Sequence, residues 1–180
     1  MTRSCRITIP CILLLFITAA CSKPVQNSAS DSSAPSTASP SAQRITSESV
    51  VKVAAEPVEI PAGGSGEAIV NITIQNGYHI NANPPTYPYL KATELEISPA
   101  EGISVAFVNY PKALNKRFPF AEKPLAVYEG ETGLKATLKA DKAAKPGQRS
   151  LSGRLRIQAC DDQVCYAPGT LQLAIPVNIR

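Results

Sequence analysis

Five cysteines, at positions 5, 11, 21, 160 and 165, are the residues of this 180-residue chain whose type and spacing could do chemistry of their own. Cys5 and Cys11 lie in a segment patterned as a cleaved export signal, and Cys21 stands where a lipid would be attached. Processing there leaves one pair, Cys160 and Cys165, separated by Asp161-Asp162-Gln163-Val164. A lone pair in a chain bound for an oxidising compartment is either a staple or a working redox couple. As a staple it is weak. Closing so small a loop stabilises by about 2 kcal/mol, against roughly 4.7 kcal/mol for a loop of about 100 residues. A structural disulfide in a β-sandwich normally bridges the two sheets, whereas this pair ties a turn to itself. Magnitude therefore favours thiol–disulfide exchange, with a stiffened binding module as the rival.

The neighbouring charges bear on that chemistry. Asp161 and Asp162 disfavour a thiolate at Cys160, while Arg154 and Arg156 partly offset them. A destabilised thiolate weakens the reduced form and inclines the pair towards donating electrons. Equally, two aspartates in succession are turn formers. Both readings stand.

Other chemistries fare worse. Once Met1 leaves with the signal, the chain has no methionine and a single histidine, His79. Two cysteines and one histidine do not make a four-ligand zinc site without a carboxylate, and copper delivery through methionines is excluded on composition. No metal or other cofactor is expected. There is no Gly-x-Ser-x-Gly, and a lone histidine is more often a loop residue than a catalytic base, although a pairing of His79 with a cysteine stays open. Loss of Arg3 and Arg6 with the signal leaves 16 basic against 14 acidic residues, too even a balance to predict a nucleic-acid partner.

The elements that must position the pair follow from pattern. Residues 1–20 read as a lipoprotein signal: basic Arg3 and Arg6, an apolar run over 7–17, and Thr18-Ala19-Ala20 before Cys21. The run is too short for a confident membrane span. Thr18 stands where such signals usually carry Leu. Residues 21–47 read as a lipid-anchored, disordered tether, since 16 of the 22 residues from 22 to 43 are Ser, Ala, Pro or Thr. As coil, the stretch from Ser22 to Ser47 spans roughly 28 Å root-mean-square. Residues 48–180 then form one domain.

Within that domain the pattern is all-β. Strand candidates cover 50–60, 67–75, 90–97, 103–110, 132–140, 149–160 and 170–179, with Pro57 pushing the first towards a sheet edge. Ala68, Val70, Ile72 and Ile74 share one parity, so they should face a core. Turn signals at 61–66, 98–102, 145–147 and 167–169 separate the runs. Such punctuation predicts an immunoglobulin-like antiparallel β-sandwich. In the run from 151 to 160 the inward parity is Leu151, Gly153, Leu155, Ile157 and Ala159. If the register holds, Cys160 joins Arg154 and Arg156 on the polar face, as the more accessible thiol and the one that resolves or attacks first. Cys165, followed by Tyr-Ala-Pro, is then the more sheltered of the two.

Three segments carry a family resemblance: Gly77-Tyr-His-Ile-Asn-Ala-Asn83, Phe118-Pro-Phe-Ala-Glu-Lys-Pro-Leu-Ala-Val-Tyr-Glu-Gly130 and Gln158-Ala-Cys-Asp-Asp-Gln-Val-Cys-Tyr-Ala-Pro168. Over roughly 50–180 the chain resembles the N-terminal periplasmic domain family of the thiol:disulfide interchange protein DsbD, in particular its lipoprotein and standalone relatives. The resemblance implies an immunoglobulin-like sandwich with Cys160 and Cys165 as the redox pair at one end. It implies electrons received from a membrane-embedded partner and passed to oxidised periplasmic proteins, with thioredoxin-like or membrane-embedded thiol–disulfide proteins as partners. A family loop caps the pair with an aromatic residue, and Phe118, Phe120 and Glu122 are the best match to it; Tyr166 is placed to line the site. His79 and Asn81 stand near positions where family members carry active-site tyrosines, a departure. Lipoprotein sorting resemblance, with Ser22 after Cys21, places the anchor in the outer membrane facing the periplasm.

Overall fold

In the computed structural model the described residues are 44–180, Glu101 excepted. The expected signal over 1–20, the lipid site at Cys21 and nearly all of the expected tether lie outside them. No helix among the described residues is long and apolar enough to cross a membrane.

Period-two alternation builds two four-stranded sheets. The first has the order β1 (Val51–Ala55), β3 (Ser65–Ile74), β9 (Glu131–Ala140) and β6 (Ile103–Asn109). The second has the order β2 (Val58–Ile60), β12 (Gly169–Ile179), β10 (Gly147–Ile157) and β5 (Glu94–Ile97). Ala68, Val70, Ile72 and Ile74 of β3 are buried, as their shared parity predicts, and so are Leu151, Leu155 and Ile157 of β10. Together with Leu134, Leu138, Ile175 and Val177 they form one continuous apolar core. The fold is an immunoglobulin-like β-sandwich.

Pro57 separates β1 from β2, and both are edge strands, β1 of the first sheet and β2 of the second. β2 runs parallel to β12, while every other strand pairing is antiparallel.

A third, smaller sheet was not apparent from periodicity. It runs β11 (Ala159–Cys160), β4 (His79–Asn81), β8 (Leu125–Tyr128) and β7 (Leu114–Lys116). Its strands are too short to display a period. Beside it Leu90, Phe118, Leu125 and Val127 close a separate small apolar cluster.

Residues 44–47 of the expected tether are described, and the last of them belongs to the fold. Ser47 is fully buried and leads into a 3₁₀ turn at Glu48–Val50. Its hydroxyl donates to the Ala167 carbonyl at 2.6 Å and accepts from the Ala159 amide at 2.9 Å.

Candidate functional site

β10 does not continue into the cysteines. The strand breaks at Gln158, and the chain leaves the large sheet to pair as β11 with β4, Ala159 facing Ile80 and Cys160 facing His79. Parity is meaningful only within one strand. Cys160 consequently does not emerge on the polar face but is 0 % exposed, buried like Ala159 beside it. Cys165 is the half-buried member of the pair. The structure thus reverses the expected order of accessibility, and with it the ground for Cys160 reacting first.

The two cysteines are joined, with Cα atoms 3.9 Å apart, at the neck of a tight loop. The Asp161 amide donates to the Val164 carbonyl at 3.0 Å, and the Tyr166 amide to the Ala159 carbonyl at 2.8 Å. Asp161 organises the loop from within: one carboxylate oxygen accepts from the Gln163 and Val164 amides, each at 2.8 Å, and the other accepts from the Tyr166 hydroxyl. The turn-forming reading of Asp161 is therefore realised in hydrogen bonds. The Tyr166 hydrogen bond, then the two amides, hold the Asp161 carboxyl below its ordinary range. The same bond pushes the Tyr166 hydroxyl up to about 12. Asp162 is exposed and borders a polar cleft with Tyr78, His79, Lys116 and Glu129.

Aromatic side chains flank the disulfide. Phe118 is buried, and Cys165 packs against the cluster it shares with Leu90, Leu125 and Val127. Its ring stacks on His79 at 4.1 Å and on Phe120 at 5.5 Å between centroids. Phe120 is partly exposed and joins Tyr87, Tyr89, Leu90 and Val164 around a cleft of about 370 Å³ that Cys165 also lines. Tyr89 is 71 % exposed there, stacked on Tyr87 at 5.1 Å. Of the residues matched to a cap, Phe118 and Phe120 come together beside the pair. Glu122 is exposed and does not line this cleft. Tyr166 lies beside Tyr78, ring centroids 6.1 Å apart.

Sequence reasoning passed over two residues that hold this arrangement together. Gln158, at the strand break, accepts from Asn81 Nδ2 at 3.1 Å and the Lys91 amide at 2.9 Å, and donates to the Tyr166 carbonyl at 3.1 Å. It ties β4, the following loop and the cysteine loop to one side chain. Ser47 pins the two flanks of the cysteine loop, at Ala159 and Ala167. Neither role shows in the pattern: Gln158 opens the third family segment but falls on the polar parity like its neighbours, and Ser47 closes a Ser-rich stretch.

His79 is 1 % exposed, not a loop residue, and burial holds its imidazole below the ordinary value of 6.5. Its Nε2 is buried with no hydrogen-bond partner among the described residues. The arrangement offers a disulfide with one half-buried cysteine at an apolar cleft and a second, fully buried cysteine paired in the ladder with a histidine.

The family model for the N-terminal domain of the thiol:disulfide interchange protein DsbD matches residues 46–176. No curated protein matches the chain. Among solved structures, the N-terminal periplasmic domain of ScsB from Proteus mirabilis is 16% identical with a TM-score of 0.51, covering 69% of this chain and 45% of that one. The chain thus spans less than half the length of that relative. The DsbD N-terminal domain of Neisseria meningitidis, in its reduced form, is 20% identical with a TM-score of 0.47, covering 74% of this chain and 90% of that one.

Proposed function

The chain belongs to the family of DsbD N-terminal domains, and we propose that it passes electrons by thiol–disulfide exchange through Cys160 and Cys165, between a thioredoxin-like or membrane-embedded donor and oxidised envelope proteins. The observation that carries this reading is the asymmetry of the pair, with Cys165 half-buried at an aromatic cleft and Cys160 fully buried behind it. Exchange needs a thiolate to reach one sulfur in line with the bond that breaks. Cys165 is the sulfur a partner can reach.

In the charging direction a partner thiolate attacks Cys165 Sγ. The Cys160–Cys165 bond breaks, its electron pair stays on Cys160 Sγ, and a mixed disulfide joins Cys165 to the partner. The partner's second thiolate then attacks its own sulfur in that bond. The partner leaves oxidised and this chain holds two reduced cysteines. Discharge runs the same steps backwards on an oxidised protein, with Cys160 resolving. Phe118 and Phe120 shield the pair from small oxidants between encounters, and the exposed Tyr89 and Val164 are positioned at the rim where a partner lands. The export signal read in residues 1–20 and the periplasmic domain named among the structural neighbours support a periplasm-facing place, and the Cys21 that follows the signal supports a lipid anchor there.

Trapping tests this directly. A Cys160→Ala protein leaves Cys165 unable to be resolved and should accumulate mixed disulfides visible on a non-reducing gel. A Cys165→Ala protein should accumulate far fewer, because Cys160 is buried. The reading is wrong if neither variant traps a partner, and the assigned order is wrong if only the second one does.

A further inference from the structure

β4 lays His79 directly opposite Cys160 in the ladder. Facing residues of an antiparallel pair project to the same side of the sheet, about 5 Å apart at Cβ. Both are buried, at 1 % and 0 % exposure. The imidazole lies flat on Phe118, 4.1 Å between centroids and 19° between planes, and Phe118 belongs to the cluster that packs Cys165. Imidazole and disulfide therefore both border the apolar cluster that contains Phe118.

A histidine serving only as packing has its nitrogens satisfied, because an unmet buried polar atom costs about 1–3 kcal/mol. His79 Nε2 has no partner among the described residues. The unmet atom belongs to the residue paired with Cys160, whose sulfur becomes a donor or an anion only when the disulfide opens. The charged groups around the imidazole come from three elements. Lys116 of β7 and Glu129 after β8 bind each other at 2.6 Å, and Asp161 and Asp162 follow β11. Lys116, Glu129 and Asp162 also border the polar cleft of which His79 forms a wall, which gives protons a way in from solvent. Burial outweighs these carboxylates and keeps the imidazole neutral while the cysteines are oxidised.

We propose that His79 is the acid–base partner of Cys160, holding the proton that this cysteine gains when the disulfide opens and sheds when it closes. The inference rests on the exchange reading above. When a partner thiolate attacks Cys165, the electron pair of the broken bond stays on Cys160 Sγ. This new buried anion makes the adjacent imidazole more basic, a proton enters from the cleft onto His79, and it passes to the sulfur. In the reverse step His79 takes the Cys160 proton and the thiolate attacks Cys165 Sγ. The partner leaves as a thiolate and the proton returns to the cleft. No co-reactant other than the partner thiol and water is needed.

The test uses the full chain, reduced, with Ellman's reagent as the oxidant. The first release of thionitrobenzoate reports attack by Cys165. The second reports Cys160 resolving the Cys165 mixed disulfide. In His79→Phe, which keeps the stack on Phe118, the second release at neutral pH should slow by about a hundredfold, the lower end of what positioned acid–base groups contribute. Its pH midpoint should rise by about one unit, and the first release should stay within about twofold. His79→Gln, polar but not basic, should behave in the same way and carries the test should His79→Phe fail to fold. An unchanged rate and midpoint for the second release in either folded variant overturns the proposal while leaving the exchange reading intact. A wild-type disulfide that cannot be reduced in the folded protein overturns both.

Discussion

In the two large sheets, β3 and β9 are ten residues long and β10 and β12 eleven, each showing one side chain to the core and the next to solvent. In the third sheet, an end sheet in that it begins where β10 stops, the strands are two to four residues long, and neighbours in sequence are buried together, as in His79–Asn81 and Ala159–Cys160. Long ladders over a common core make stability collective, so no single turn of them is sensitive. The end sheet holds its geometry through individual contacts: Gln158 to three partners, Ser47 to two, Phe118 between His79 and Phe120. The sandwich is built to persist, and the end sheet to hold two sulfurs in unequal environments. That division of labour predicts that stability and exchange can be damaged separately.

The largest stability effect should come from the sandwich. Leu155→Ala empties a fully buried position of β10 and should cost about 4 kcal/mol, within the range for buried leucines. The disulfide in the protein that remains folded should be reduced at the wild-type rate. Denaturant unfolding followed by a dithiothreitol time course measures both. A changed reduction rate in the folded variant would erase the distinction between the two regions.

Phe118→Ala should act the other way round. Its cluster is small and borders an open cleft, so the site can partly collapse and the loss should be about 3 kcal/mol, the low end for a buried phenylalanine. Reduction by a small thiol should accelerate several-fold once the ring over the pair is gone. An unchanged rate would mean that Phe118 is packing alone.

Smaller still is the effect of Asp161→Asn in the cysteine loop. Asp161 is held below its ordinary 3.8, so its share of stability is present above that value and lost as pH falls through the folded one. Tyr166 is raised from 10.0 to about 12, so its share is present below 10 and lost as pH rises through that window. The substitution should bring the Tyr166 titration, followed by its ultraviolet absorbance, back towards 10 and flatten both edges of the stability profile. A titration still near 12 would assign the shift to something other than Asp161.

What the sequence made legible follows the same boundary. The parity of Ala68, Val70, Ile72 and Ile74, the turn clusters and the edge position of Pro57 are local signals, and each marks a real feature of the sandwich. The environment of Cys160 was not legible, because its apparent phase belonged to β10 while the residue belongs to another sheet. No pattern in residues 158–160 announces a change of sheet. His79–Asn81 is likewise invisible to periodicity, so the one buried imidazole looked like a loop residue. Phe118 and Phe120 were found through family resemblance; nothing in their spacing distinguishes a cap from core.

The central claim, that the Cys160–Cys165 disulfide works rather than staples, is tested most directly by titrating the native protein with a dithiothreitol or glutathione redox buffer while following its fold by circular dichroism. The account predicts that the pair reaches equilibrium with the buffer while the β spectrum is unchanged, since so short a loop contributes only about 2 kcal/mol to the fold. A disulfide that resists reduction until the sandwich unfolds would contradict it.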